Sequence, residues 1–103
     1  MNAYVLFGPL RAQTGKGTTL KTILMESAAR MHEVDGCQAY LIHADPADDD
    51  MVWVYEAWDS PEDHQNSLQV DFIQAAIGKA MPILDGRPEG GQTLELLGGV
   101  GLS

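Results

Sequence analysis

One cysteine, six basic residues and no long apolar run distinguish this 103-residue chain by what it lacks. With Cys37 alone, neither an intrachain disulfide nor a cysteine-based metal site can form. Its setting, Gly36-Cys37-Gln38-Ala39-Tyr40, reads as a strand start, where the thiol serves as a small buried hydrophobe. Six Lys and Arg against 15 Asp and Glu leave a formal charge of −9. Nucleic acid and anionic membranes, which draw on basic patches, are therefore not expected partners. No apolar stretch approaches the roughly 18 residues of a membrane span. The N-terminus also lacks a basic segment followed by an apolar core and cleavage site, so the chain reads as soluble and cytoplasmic.

Metal and phosphate patterns are missing as well. His32, His43 and His64 do not form a metal-ligand pair at local spacing. The run Asp45, Asp48, Asp49, Asp50 lacks the glycine, alternating ligands and closing glutamate of a calcium loop, and reads as a solvated hairpin tip. No metal and no cofactor are expected. Gly8 and Gly15-Lys16-Gly17-Thr18-Thr19 resemble a phosphate loop only faintly. Six residues separate Gly8 from Gly15 where that loop has four, and Gly17 stands where it needs a hydroxyl. An ordinary strand-to-helix turn is expected.

What is present is a 45% apolar composition, enough for one globular domain over residues 1–103. Residues 2–12 read as a first strand, with Pro9 demanding an edge or a bulge. Leu20, Ile23, Leu24, Ser27, Met31 and Val34 form one stripe of a helix over about residues 18–34, stopped by Asp35-Gly36. A second strand runs through Ala39–Ala44 and a third through residues 51–58, with apolar groups on both faces. A second helix is expected over about residues 61–81, ended by Pro82, and a last strand around Thr93–Leu97. The order β-α-β-β-α-β predicts an α+β, ferredoxin-like fold with both helices on one face of an antiparallel sheet. Met51, Trp53 and Tyr55 then point to the other face. Leaving such side chains in water costs about 1.5–3 kcal/mol each, so a homodimer joined sheet to sheet is expected.

The densest chemistry lies at the junction after the third strand. Ser60 reads as an N-cap, Pro61 as the first helical residue and Asp63 as the capping-box partner. From that start His64, Leu68, Phe72, Ala75 and Ala76 recur at helical spacing. Glu56 and Trp58 share a strand face by period-two parity. Tryptophan, carboxylate and imidazole are thus predicted to converge beneath one helix. Imidazole exchanges protons near neutral pH, and a carboxylate on a covered face needs a partner. His64 is equally readable as a core histidine satisfied by one hydrogen bond.

These residues also carry a resemblance. Gly36-Cys37-Gln38-Ala39-Tyr40, Val52-Trp53-Val54-Tyr55-Glu56-Ala57-Trp58 and Glu62-Asp63-His64-Gln65-Asn66-Ser67-Leu68 are similar to the antibiotic biosynthesis monooxygenase domain, and more narrowly to its quinol monooxygenase branch. The likeness extends through Met81-Pro82-Ile83-Leu84 and the Gly98-Gly99-Val100-Gly101 tail. It implies a dimeric α+β barrel with a pocket between sheet and helices, and oxidation of phenols or quinols by molecular oxygen without metal, flavin or haem. Haem-degrading relatives use an asparagine on the first strand, a tryptophan ending the third and a histidine in the second helix. Only Trp58 matches. Phe7 or Gly8 and Ala75-Ala76-Ile77 occupy the other two regions, and His64 falls about three turns early.

The expected function is cofactor-independent oxygenation of a small quinol or phenol by molecular oxygen. His64 would be the base, Glu56 its partner and His43 a donor to developing oxyanion character. Trp58, Leu68, Phe72 and Tyr40 would hold the aromatic ring. The alternative is a noncatalytic dimer that binds a small aromatic metabolite.

Overall fold

The computed structural model describes residues 2–86 and 90–101. Its described elements are β1 (Ala3–Arg11), α1 (Gly17–Ala28), β2 (Cys37–Asp45), β3 (Asp48–Trp58), α2 (Pro61–Ser67), α3 (Asp71–Ala80) and β4 (Gln92–Leu96), with short 3-10 turns at Met31–Glu33 and Met81–Ile83. The strands form one antiparallel sheet in the order β2-β3-β1-β4. This is an α+β fold, as the element order implies.

The barrel expectation is wrong. The sheet stays open, with β2 and β4 as its two edges. Closure would require those edges to pair at a consistent tilt and stagger, and about eight strands are needed for an interior that side chains just fill. Four strands, the last of only five residues, cannot enclose one.

Parity sorts the two faces. Val52 and Val54 lie with Leu20 and Leu24 of α1, Ala80 of α3, and Leu84 in the main core. Trp58 lies with Met31 and Ile73 in a second cluster. The opposite face gathers Ala3, Val5 and Ala57 with Tyr55 and Leu96. There Phe7 stacks on Trp53 at 5.5 Å, while Leu41 and Leu94 remain half exposed. Among the described residues no helix is long and apolar enough to cross a membrane.

Two local departures from the sequence expectation have clear causes. First, the acidic run is only partly a solvated tip: β3 begins at Asp48, Asp49 is exposed, and the carboxylates of Asp45, Asp48 and Asp50 have partners. Asp45 accepts from Ala47 N (2.9 Å) and Trp53 Nε1 (3.2 Å), and Asp48 accepts from Arg11 (2.8 Å). Asp50 accepts from Gly17 N (3.0 Å) and Gly15 N (3.2 Å), capping α1 from across the fold. The backbone donors of the apparent phosphate loop thus already hold an anion, supplied by the protein itself.

Second, the single helix expected over residues 61–81 is two. Ser67 Oγ donates to the His64 carbonyl at 2.6 Å, and the N–H groups of Leu68, Gln69 and Val70 turn back to carbonyls three residues earlier. Val70 is then extended (φ −72°, ψ 132°) and α3 restarts at Asp71. The break ends the stripe that begins at His64. Similarly, α1 stops at Ala28 and Met31–Glu33 forms a separate turn, yet the stripe through Leu20, Leu24, Ser27 and Met31 is buried as expected.

Candidate functional site

The junction after β3 is built as its residues suggest. Ser60 Oγ accepts from Asp63 N at 3.1 Å and donates to the Asp63 carboxylate at 2.9 Å, with Pro61 opening α2. That cap aims His64 back at the strand. Trp58 Nε1 donates to Glu56 Oε1 at 3.1 Å, and His64 Nε2 lies 3.8 Å from the same oxygen. The imidazole meets the Trp58 ring edge-on at 5.7 Å and the Tyr4 ring at 6.1 Å. Its Nδ1 is buried without a partner. Both neighbours therefore converge on Oε1, and Oε2 takes no hydrogen bond from a described residue.

Glu56 also faces a cavity. A space of about 200 Å³ opens over the helix-bearing face of the sheet, with Leu6, Gly8, Leu10, Tyr40, Val54 and Glu56 in its lining and Gly91 at its side. An apolar cavity of roughly 150 Å³ holds a benzene, so this one suits a single ring with small substituents. Glu56 and Tyr40, directly paired across β3 and β2, supply its ionisable groups. Burial pushes the Glu56 carboxyl above its ordinary range, and the Trp58 N–H and His64 pull it partly back. Burial, reinforced by the Glu56 charge, drives the Tyr40 phenol well above its usual value. Tyr40 is thus a lasting proton donor beside a carboxylate that ionises reluctantly.

The remaining candidates lie elsewhere. Trp58 is fully buried and holds Glu56 without lining the cavity. Leu68 sits in the turn after α2, outside that lining. Phe72 packs near Trp58 and Met31 but lines a different cleft, beneath the Arg30 guanidinium at 4.3 Å. His43 pairs with Trp53 and lies exposed on the sheet face opposite Glu56. Cys37, the first residue of β2, has its thiol pushed up to about 11 by burial, so it stays protonated at neutral pH.

Sequence inspection gives Leu6, Gly8 and Gly91 no part in a substrate cavity. A glycine inside a strand signals close approach of another backbone, and a Cβ on Gly8 would stand 2.5 Å from Gly91 Cα. The partner is invisible locally because the β1–β4 pairing joins opposite ends of the chain.

An open antiparallel sheet with a small polar-floored cavity defines a compact α+β protein built around one strand-to-helix junction. The profile of the antibiotic biosynthesis monooxygenases matches residues 3–79, and the chain belongs to that family. A Chloroflexus aurantiacus protein assigned to the same monooxygenases is 35% identical, with a TM-score of 0.87 over 98% of this chain and 99% of that one. A Nitrosomonas europaea protein of unknown function shares the fold at 21% identity, with a TM-score of 0.81 over 97% and 94% of the two chains. Another N. europaea protein assigned to these monooxygenases shares it at 14% identity, with a TM-score of 0.79 over 93% and 89%. No curated protein matches the sequence.

Proposed function

We propose that the protein oxygenates a small single-ring hydroquinone or electron-rich phenol with molecular oxygen, using the substrate's own electrons and no bound cofactor. The observation that carries this is Glu56: one carboxylate oxygen is held from behind by Trp58 and approached by His64, while the side chain lines a cavity of single-ring size. Membership in a family named for monooxygenation supports the same reaction class.

Glu56 Oε2 accepts the substrate hydroxyl proton, because a carboxylate with a raised pKa is the stronger base. His64 Nε2, 3.8 Å behind, faces the opposite oxygen and helps to hold the carboxylate in place. The Tyr40 hydroxyl donates to oxyanion character as electrons leave the ring for oxygen. For a hydroquinone the balance is complete: one oxygen atom replaces a ring hydrogen, the other leaves as water, and the product is a hydroxyquinone. Leu6, Leu10 and Val54 hold the ring and exclude water.

Oxygen consumption by the metal-free protein should saturate with substituted hydroquinones and fall for two-ring homologues. Saturable binding of the same compounds without oxygen consumption would replace this proposal with a noncatalytic binder of aromatic metabolites. A second copy is the proposed cover for the Phe7, Trp53 and Tyr55 face, whose rings pack on one another but remain partly exposed beside half-exposed Leu41 and Leu94. Light scattering should give twice the chain mass, and Leu41→Asp should return it to one.

A further inference from the structure

The Glu56 cavity is bounded on one side by bare backbone. Alternate residues of a strand share a face, so β1 presents Leu6, Gly8 and Leu10 to the cavity. With the strands ordered β2-β3-β1-β4, Tyr40 stands at one side of this space and Gly91, just before β4, at the other. The pairing of β1 with β4 ends at Phe7 and Gln92. One residue beyond, Gly91 occupies the space that a side chain at position 8 would take. A Cβ on Gly8 would stand 2.5 Å from Gly91 Cα, and one on Gly91 would stand 2.6 Å from the Phe7 carbonyl oxygen and 2.9 Å from Gly8 Cα. Nonbonded carbon atoms rest at roughly 3.5–4.0 Å, so this contact exists only because both residues are glycine. Gly90, one residue earlier, has open space where its Cβ would go.

We propose that the Gly8–Gly91 contact sets the size of substrate: it holds the chain entering β4 down on β1 and so limits how far a ring extends from Tyr40 and Glu56. This rests on the Glu56 cavity being the substrate site, as proposed above. At about 200 Å³ the cavity exceeds the roughly 150 Å³ that holds a benzene by too little for a second fused ring. A side chain at Gly91 must lift that backbone off the sheet, which lengthens the cavity on the side away from Glu56. Glu56 and Tyr40, paired across β3 and β2, stay in place. Gly8→Ala pushes the same backbone from below, but its methyl group takes up part of the room gained.

Anaerobic amide NMR titration of the full chain with hydroquinone and 1,4-naphthohydroquinone tests this without relying on turnover. Wild type should favour hydroquinone by at least about tenfold. Gly91→Ala should cut that preference at least about fivefold, through tighter binding of naphthohydroquinone. Gly8→Ala should move it in the same direction by less, and it carries the test if Gly91→Ala does not fold. Gly90→Ala adds the same methyl group in open space and should change nothing. An unchanged preference in the Gly91 variant, or an equal change in the Gly90 variant, overturns the proposal. So does the absence of a nuclear Overhauser cross-peak between the Gly8 and Gly91 α-protons in the wild type. Size-selective binding without oxygen consumption would remove the oxygenation and leave this inference standing. Oxygen consumption with an unchanged preference would do the reverse, and a wild type that binds neither compound would remove both.

Discussion

Asp50 and Glu56 are carboxylates on the same strand and, by parity, the same sheet face, yet their surroundings give them opposite tasks. Asp50 receives two backbone N–H groups at the start of α1, so its charge is matched by fixed donors and it holds the fold together. Glu56 receives one indole N–H and the loose approach of an imidazole, and burial pushes its carboxyl up. A carboxylate fully supplied with donors becomes structure. One supplied on a single oxygen, at the wall of a cavity, retains a free acceptor for chemistry.

The sharpest way to break this contrast is Glu56→Gln, which keeps shape and removes the acceptor charge. Hydroquinone-dependent oxygen consumption should fall about a hundredfold, ~2.7 kcal/mol of barrier. The same variant has a signature in stability. Because the folded-state pKa of Glu56 is raised, the folded protein keeps a proton that the unfolded chain has released, and wild-type stability falls as pH rises from the ordinary value toward the folded one. Gln carries no such proton, so urea melts should show that slope in the wild type and lose it in the variant. Substrate turnover should follow the opposite course, rising with pH as Glu56 ionises.

Trp58→Phe is the next largest change. It removes the N–H that lowers the Glu56 pKa, so the rate–pH profile should move toward higher pH while stability drops by about 1–3 kcal/mol. An unmoved profile would mean that the indole only fills space. Asp50→Ala is the smallest. Loss of its cap should cost about 1 kcal/mol in chemical denaturation and leave oxygen consumption unaltered. A large loss of turnover there would erase the distinction between the two carboxylates.

Much of the candidate site is legible in the sequence because it is local. Strand parity places Glu56 and Trp58 together, and the Ser60–Pro61–Asp63 cap brings His64 above them. Phe72 is misplaced by the same reasoning for a physical cause. Ser67 turns its hydroxyl onto the His64 carbonyl, the helix breaks, and the periodicity restarts with Ile73 inward. His43 lies on the face opposite Glu56 because β2 pairs it with Trp53, and only register decides that. The acidic run misleads in a related way. Asp45, Asp48 and Asp50 read as solvated until the fold brings Trp53, Arg11 and the start of α1 within reach.

By itself the sequence determined the element order apart from the break in its second helix, the α+β class, the cap that opens α2 and the meeting of Glu56, Trp58 and His64. All of these depend on side-chain period and short-range hydrogen bonding. The tertiary structure alone decided that the sheet remains open, that Trp58 is support instead of wall, and that the cavity is bounded by Leu6, Gly8 and Gly91. Those outcomes depend on strand register and on contacts between opposite ends of the chain, which no local pattern records.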